Sequence, residues 1–126
     1  MSLFKYLDTL TPKVYILQLR NLVLAKVGFT KKDIEKRIKE YKFSGQWTGK
    51  EQDIRLHAVF STPNAQSIEE LTIAILEWES IPKANDKNLG GGYTEWYKCS
   101  PYKIQSAILN AIQYLHKKEV SWKKKV

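Results

Sequence analysis

The chain holds a single cysteine, Cys99, among 126 residues. No intramolecular disulfide is therefore available, and no cysteine-rich metal cluster can be built. Zinc-finger spacing, a helix-turn-helix pattern and internal repeats are all missing. The longest apolar runs, at 14–19 and 22–27, are broken by polar residues and fall far short of the roughly 20 residues that cross a bilayer. The opening residues carry no apolar h-region of a signal peptide. The expectation is a cytoplasmic protein that engages no membrane.

What is present is ordinary for a folded domain. Apolar residues make up 43% and charged residues 27%, enough for a hydrophobic core without staples, and the expectation is one domain over 1–126 with a short basic C-terminal tail. The charge is not balanced: 21 Lys and Arg oppose 13 Asp and Glu, a net +8. Such a surplus concentrates polyanions around the protein, nucleic acid first among them, although basicity alone also serves solubility.

Patterning gives an α+β order. Two β-rich runs at 14–19 and 22–27 flank Arg20-Asn21 and predict a hairpin with a two-residue turn. Thr30 stands at a helix N-cap position with Asp33 three residues on, and Ile34, Ile38 and Tyr41 recur at helical spacing over 31–42. A polar, turn-rich stretch follows, and 54–60 alternates with period two as a third strand. Thr62-Pro63 opens a second helix over 63–80, with Ile68, Leu71, Ile75 and Trp78 as its apolar face. Residues 85–92, with glycines at 90–92, form a loop leading to a short strand at 93–99. Ser100-Pro101 caps a third helix striped by Ile104, Ala107, Ile108, Ala111, Ile112 and Leu115. The expected fold is a small, mostly antiparallel sheet of three to four strands packed with about three helices.

A two-residue turn at 20 and 21 places Tyr15 directly opposite Lys26 on one sheet face, about 5 Å apart between Cβ atoms. A tyrosine is a poor base near neutrality, since its unperturbed pKa is about 10, and a neighbouring cation favours the phenolate. Arg37 follows Ile34 by three and precedes Tyr41 by four, so it borders the buried stripe while Lys32, Lys36 and Lys39 point outward. A guanidinium there can grip two phosphate oxygens at once. Each residue alone is more often structural: a packed aromatic, a solubilising lysine, a solvated helix charge.

Together they resemble the GIY-YIG nucleases, in the short phage-type or restriction-like branch. Val14-Tyr15-Ile16 stands near the Gly-Ile-Tyr element, Lys26-Val27-Gly28 near Tyr-Ile-Gly, and Arg37 falls nine residues after Gly28 on the next helix. Residues 92–97, Gly-Tyr-Thr-Glu-Trp-Tyr, resemble a late element of that branch. The likeness runs from about Lys13 to His116. It departs at the first element, which reads Pro-Lys-Val-Tyr, and at Lys26, which replaces the second tyrosine.

The resemblance implies a metal-dependent DNA endonuclease. Water is activated by Tyr15 or Lys26, Arg37 holds the scissile phosphate, and one Mg²⁺ or Mn²⁺ sits on a glutamate of the second helix, identified as Glu70 with Glu95 as alternate. Read structurally instead, Ser67 and Glu70 make a capping box and Glu95 an ordinary strand carboxylate paired with a lysine. Lys31, Lys32, Lys36, His57, Lys117 and Lys118 are candidate nucleic-acid contacts, with Lys123 to Lys125 in the tail. His57, mid-strand among apolar residues, equally fits a satisfied structural histidine. Trp47, Trp96 and Trp122 could stack on bases or pack in the core, and Asn85, Asn88 and the three glycines suit either close phosphate approach or a plain connector. DNA is the expected partner, and the choice of target falls to a targeting partner, to a homodimer or to the structure of the DNA. The competing expectations are a catalytically inactive nucleic-acid binder on the same fold and a protein whose basic face meets an acidic partner.

Overall fold

The computed structural model describes residues 11–19, 24–42, 54–84 and 96–125, the side chains of 39–42 and 119–125 excepted. Three strands, β1 (Lys13–Leu19), β2 (Leu24–Thr30) and β3 (Ile54–Ser61), form one antiparallel sheet in the order β2-β1-β3. Three helices accompany it: α1 (Ile34–Lys42), α2 (Ala65–Trp78) and α3 (Pro101–Lys125). The architecture is α+β, as the patterning implies. Of the expected fourth strand, 93–95 lie outside the described residues, and Tyr97 makes isolated bridges to Ala25 and Lys83.

Alternation along β1 gives the sheet two buried faces. Val14 and Ile16, with Ala25 and Val27 of β2, pack against Ile68 and Leu76 of α2 and Ile104, Ala107, Ile108 and Ala111 of α3. Tyr15, Leu17 and Leu19 face the other way with Leu24 and Ile54, covered by Trp96 and by Ile34 and Ile38 of α1. Trp96 is thus a core residue. Leu76 is fully buried, and Leu76→Ala is expected to cost about 3 kcal/mol through lost transfer and a residual cavity. Urea unfolding would register this as a lower midpoint at unchanged slope.

Several boundaries move. The hairpin register sums to 43: Tyr15 pairs with Gly28, and Leu17 with Lys26. The expected turn at 20 and 21 lies outside the described residues; the last described pair is Leu19 with Leu24. α1 starts three residues later than expected. Its first turn is met by Asp33, whose Oδ1 accepts the Glu35 N–H at 3.4 Å, while Thr30 Oγ1 accepts the Lys32 N–H at 2.9 Å. α2 begins after Asn64, which caps without a side-chain bond; Thr62 Oγ1 accepts the Asn64 N–H at 3.2 Å. Ser100 caps α3 as expected, accepting the Lys103 N–H on Oγ at 3.4 Å. The tail continues that helix to Lys125. Among the described residues, no helix is long and apolar enough to cross a membrane.

The buried stripe of α2 is Ala65, Ile68, Thr72 and Leu76. Thr72 enters the core because its hydroxyl donates to the Ile68 carbonyl at 2.6 Å, which satisfies the one polar atom that burial would otherwise strand. The stripe is therefore rotated relative to the expected Ile68, Leu71, Ile75, Trp78 series, and Trp78 emerges 86% exposed.

Candidate functional site

Because β2 is an edge strand, its outer side is open to whatever the flanking helices deliver. There a cleft of about 310 Å³ is lined by Tyr15 of β1, Lys26 to Phe29 of β2, Arg37 of α1, Glu69 and Ile73 of α2, and Lys83 and Tyr97. α1 and α2 cover opposite faces of the sheet, so the cleft wraps round the β2 edge and meets a side chain from each. Ala25 and Tyr97 exchange both backbone bonds, at 3.0 and 2.8 Å. By strand alternation Val27 and Phe29 turn their peptide groups to that same outer side, along the cleft.

Tyr15, Lys26 and Arg37, expected to share a site, do line one cleft. Tyr15 and Lys26 share a sheet face but sit diagonally across the register rather than directly opposite. The closest partner of the Tyr15 ring is Gly28. A Cβ built there would lie 2.5 Å from both Cζ and Oη of Tyr15 and 2.9 Å from Cε2. The hydroxyl end of the ring thus occupies the space that a side chain at this position would need. Arg37 Nε donates to Tyr15 Oη at 3.2 Å. A charged donor on the phenol oxygen stabilises negative charge building there. Lys26 is only 3% exposed, which sets it apart from a solubilising surface lysine.

Among the described residues, the carboxylate lining the cleft is Glu69. Glu70, the expected metal ligand, is exposed and accepts from Gln66 Nε2 at 3.4 Å one turn back on α2. The alternative capping box with Ser67 does not form, since the helix starts two residues before Ser67. Glu95 lies outside the described residues, as do Trp47, Asn85, Asn88 and the glycines at 90–92; the side chains of Trp122 and Lys123 to Lys125 do too. No group of three or more His, Cys, Asp or Glu gathers among the described residues. A lone carboxylate still suits a hard divalent cation of the Mg²⁺ kind, which keeps several waters and shares oxygens with a bound phosphate. Glu69 is the cleft residue able to hold one.

The remaining candidates lie elsewhere. His57 is the extra residue of an irregularity in the β1–β3 pairing, where Ile16 meets Ala58 and Leu17 meets Leu56. Its Nε2 is 3.0 Å from Gln105 Oε1, and its ring packs edge-on to Tyr102 of α3 at 4.7 Å. It pins α3 to the sheet, outside the cleft. Lys31, Lys32 and Lys36 are exposed around the start of α1, the helix that carries Arg37. Lys117 and Lys118 are exposed on α3, with Lys118 Nζ 5.2 Å from the Tyr114 ring centre.

Sequence reasoning assigned no role to Glu69, Lys83 or Tyr97. Burial pushes the Tyr97 phenol above its ordinary value, and the nearby Glu77 carboxylate and then Cys99 add to that effect. It stays a protonated donor at neutral pH. Burial also raises the Cys99 thiol, with Lys103 partly opposing, so the one cysteine is held away from its nucleophilic thiolate form.

No curated protein and no solved structure gives a significant match to the chain. A family model does: the T5orf172 domain, over residues 13–113. Domains of this kind occur in phage-type and homing-endonuclease-like proteins, a nuclease-like setting related to nucleic acids. Since the match starts at the first residue of β1, runs into α3 and takes in every residue lining the cleft, the chain belongs to the T5orf172 domain family.

Proposed function

We propose that the protein is a metal-dependent DNA endonuclease whose cleft works as a GIY-YIG-type site. The observation that carries this reading is the hydrogen bond from Arg37 to Tyr15 inside a cleft whose described lining also contains Lys26 and the carboxylate of Glu69. Phosphodiester hydrolysis needs a proton acceptor for water, a cation for the charge growing on phosphorus, and a group to settle the leaving oxygen.

Tyr15, in its deprotonated form, takes a proton from a water molecule. The freed oxygen attacks phosphorus opposite the leaving oxygen, and the phosphorus–oxygen bond to the leaving group breaks. Arg37 presents its planar guanidinium to the non-bridging oxygens and holds Tyr15 in place through Nε. Lys26, on the same sheet face as Tyr15, adds positive charge to the cleft. Glu69 would hold the Mg²⁺ or Mn²⁺ ion, which when bound supplies Lewis-acid neutralisation of charge on the phosphate and leaving group.

The test separates neighbouring glutamates. Supercoiled plasmid incubated with the protein and Mg²⁺ or Mn²⁺ is expected to be nicked or linearised, and chelation to stop it. Glu69→Gln is expected to lower the rate about a hundredfold or more, on the scale of losing one charge-stabilising group, while Glu70→Gln stays within about twofold, as for an exposed residue outside the site. Unimpaired cutting by Glu69→Gln overturns the assignment. Salt-dependent DNA binding without cleavage under any divalent ion selects the inactive-binder reading instead.

A further inference from the structure

The reaction proposed above leaves one wall of the cleft unused. Lys83 and Tyr97 line it together, and the backbone fixes both. They bridge each other, and Tyr97 bridges Ala25 on the β2 edge. Further bonds run from the Lys98 N–H to the Pro82 carbonyl and from the Ala84 N–H to the Trp96 carbonyl, each at 2.7 Å. The Lys83 ammonium lies 5.9 Å from the Tyr97 ring centre and 3.2 Å from Glu77 Oε1. A cation and a phenol are thus held side by side, on a segment separate from the helix that carries Arg37.

We propose that Lys83 and Tyr97 form a second phosphate subsite, which takes a nucleic-acid backbone phosphate neighbouring the one at Arg37; this rests on the nucleic-acid reading of the cleft. The Lys83–Glu77 pair is about half exposed on both sides, and an ion pair of that kind contributes little and exchanges readily for a phosphate oxygen. In the absence of substrate Glu77 keeps the ammonium beside the Tyr97 ring. Tyr97 is only 3% exposed, and its hydroxyl, protonated at neutral pH, is a donor suited to an anionic oxygen. Two anchored phosphates would fix the direction of the strand through the cleft, which one guanidinium cannot do alone.

The experiment measures binding of a fluorescent DNA duplex over a salt series without divalent metal, for the wild type, Lys83→Gln, Tyr97→Phe and Lys98→Gln. Lys98 is exposed beside Tyr97 but does not line the cleft, so it reports bulk charge. Lys83→Gln is expected to lower the salt slope by about one phosphate contact. Tyr97→Phe, which keeps the ring, is expected to weaken binding about tenfold with the slope unchanged, as for one hydrogen bond to a charged group. Lys98→Gln should keep the wild-type slope. If the wild type binds with salt dependence but Lys83→Gln matches it, or Lys98→Gln loses as much slope, the subsite is overturned and the wider reading stands. If the wild type does not bind even at low salt, both fall together.

Discussion

Arg37→Ala is expected to lower kcat/KM for DNA cleavage by about a thousandfold, the scale seen when a positioned donor to developing charge is removed. The effect has two parts. One is loss of the cation facing the non-bridging phosphate oxygens; the other is loss of the Nε–H that Tyr15 Oη accepts at 3.2 Å. Arg37 is half-buried on the short helix α1, so its truncation is expected to shift stability by only about 1 kcal/mol, the usual size for such a site. Arg37→Lys separates charge from geometry. Lysine keeps the charge but has neither the fork nor the Nε donor, and it should restore little of the rate. Single-turnover cleavage with a parallel urea titration checks both halves; near wild-type turnover by Arg37→Lys would show that charge alone suffices.

Gly28→Ala is expected to damage the site more than its one methyl group suggests. The new Cβ would lie 2.5 Å from Tyr15 Cζ and Oη, a separation that real side chains do not tolerate. Tyr15 is fully buried on the central strand, so its ring has little room to retreat. Overpacking of this kind costs about 1–3 kcal/mol. Displacement of Oη by about 1 Å would cost roughly a hundredfold in rate. Tyr15→Phe provides the comparison, expected to lose the rate while keeping the folded state, because only the hydroxyl is removed. A Gly28→Ala protein with wild-type stability and wild-type cleavage would show that the ring moves aside without consequence.

The order of elements, the hairpin and the joint placement of Tyr15, Lys26 and Arg37 could be read from periodicity, because each depends on local spacing. Register could not. The described pairs are offset by two from the expected register, which slides Tyr15 from Lys26 to Gly28, and nothing in the local spacing of either run distinguishes the two alignments. That slide keeps both side chains on their original face, which is why the trio survives it. The cleft carboxylate Glu69 was not legible for a different reason. Sorting α2 by hydrophobicity placed Thr72 outside the stripe, whereas a threonine that returns its hydroxyl to the backbone is buried at little cost. Counting Thr72 as a core residue rotates the helix, brings Glu69 and Ile73 into the cleft and turns Trp78 to solvent. Lys83 carries no local signal, and Tyr97 stands in the 92–97 element without a sign of where it docks; the bridge to Ala25 brings Tyr97 to the β2 edge.

The two ends of the Arg37–Tyr15 bond belong to parts of the molecule that are expected to come apart at different free energies. Tyr15 rides on β1, paired on both sides and buried along nearly its whole length; it is released only when the sheet itself opens. Arg37 rides on a nine-residue helix anchored in the core, among its described side chains, through Ile34 and Ile38, too short to persist once its core contacts are lost. Local opening of α1 would therefore dismantle the site while the sheet stays intact. Warming would silence such an enzyme before it unfolds it, and a bound phosphate gripping Arg37 would postpone that silence by holding the helix down.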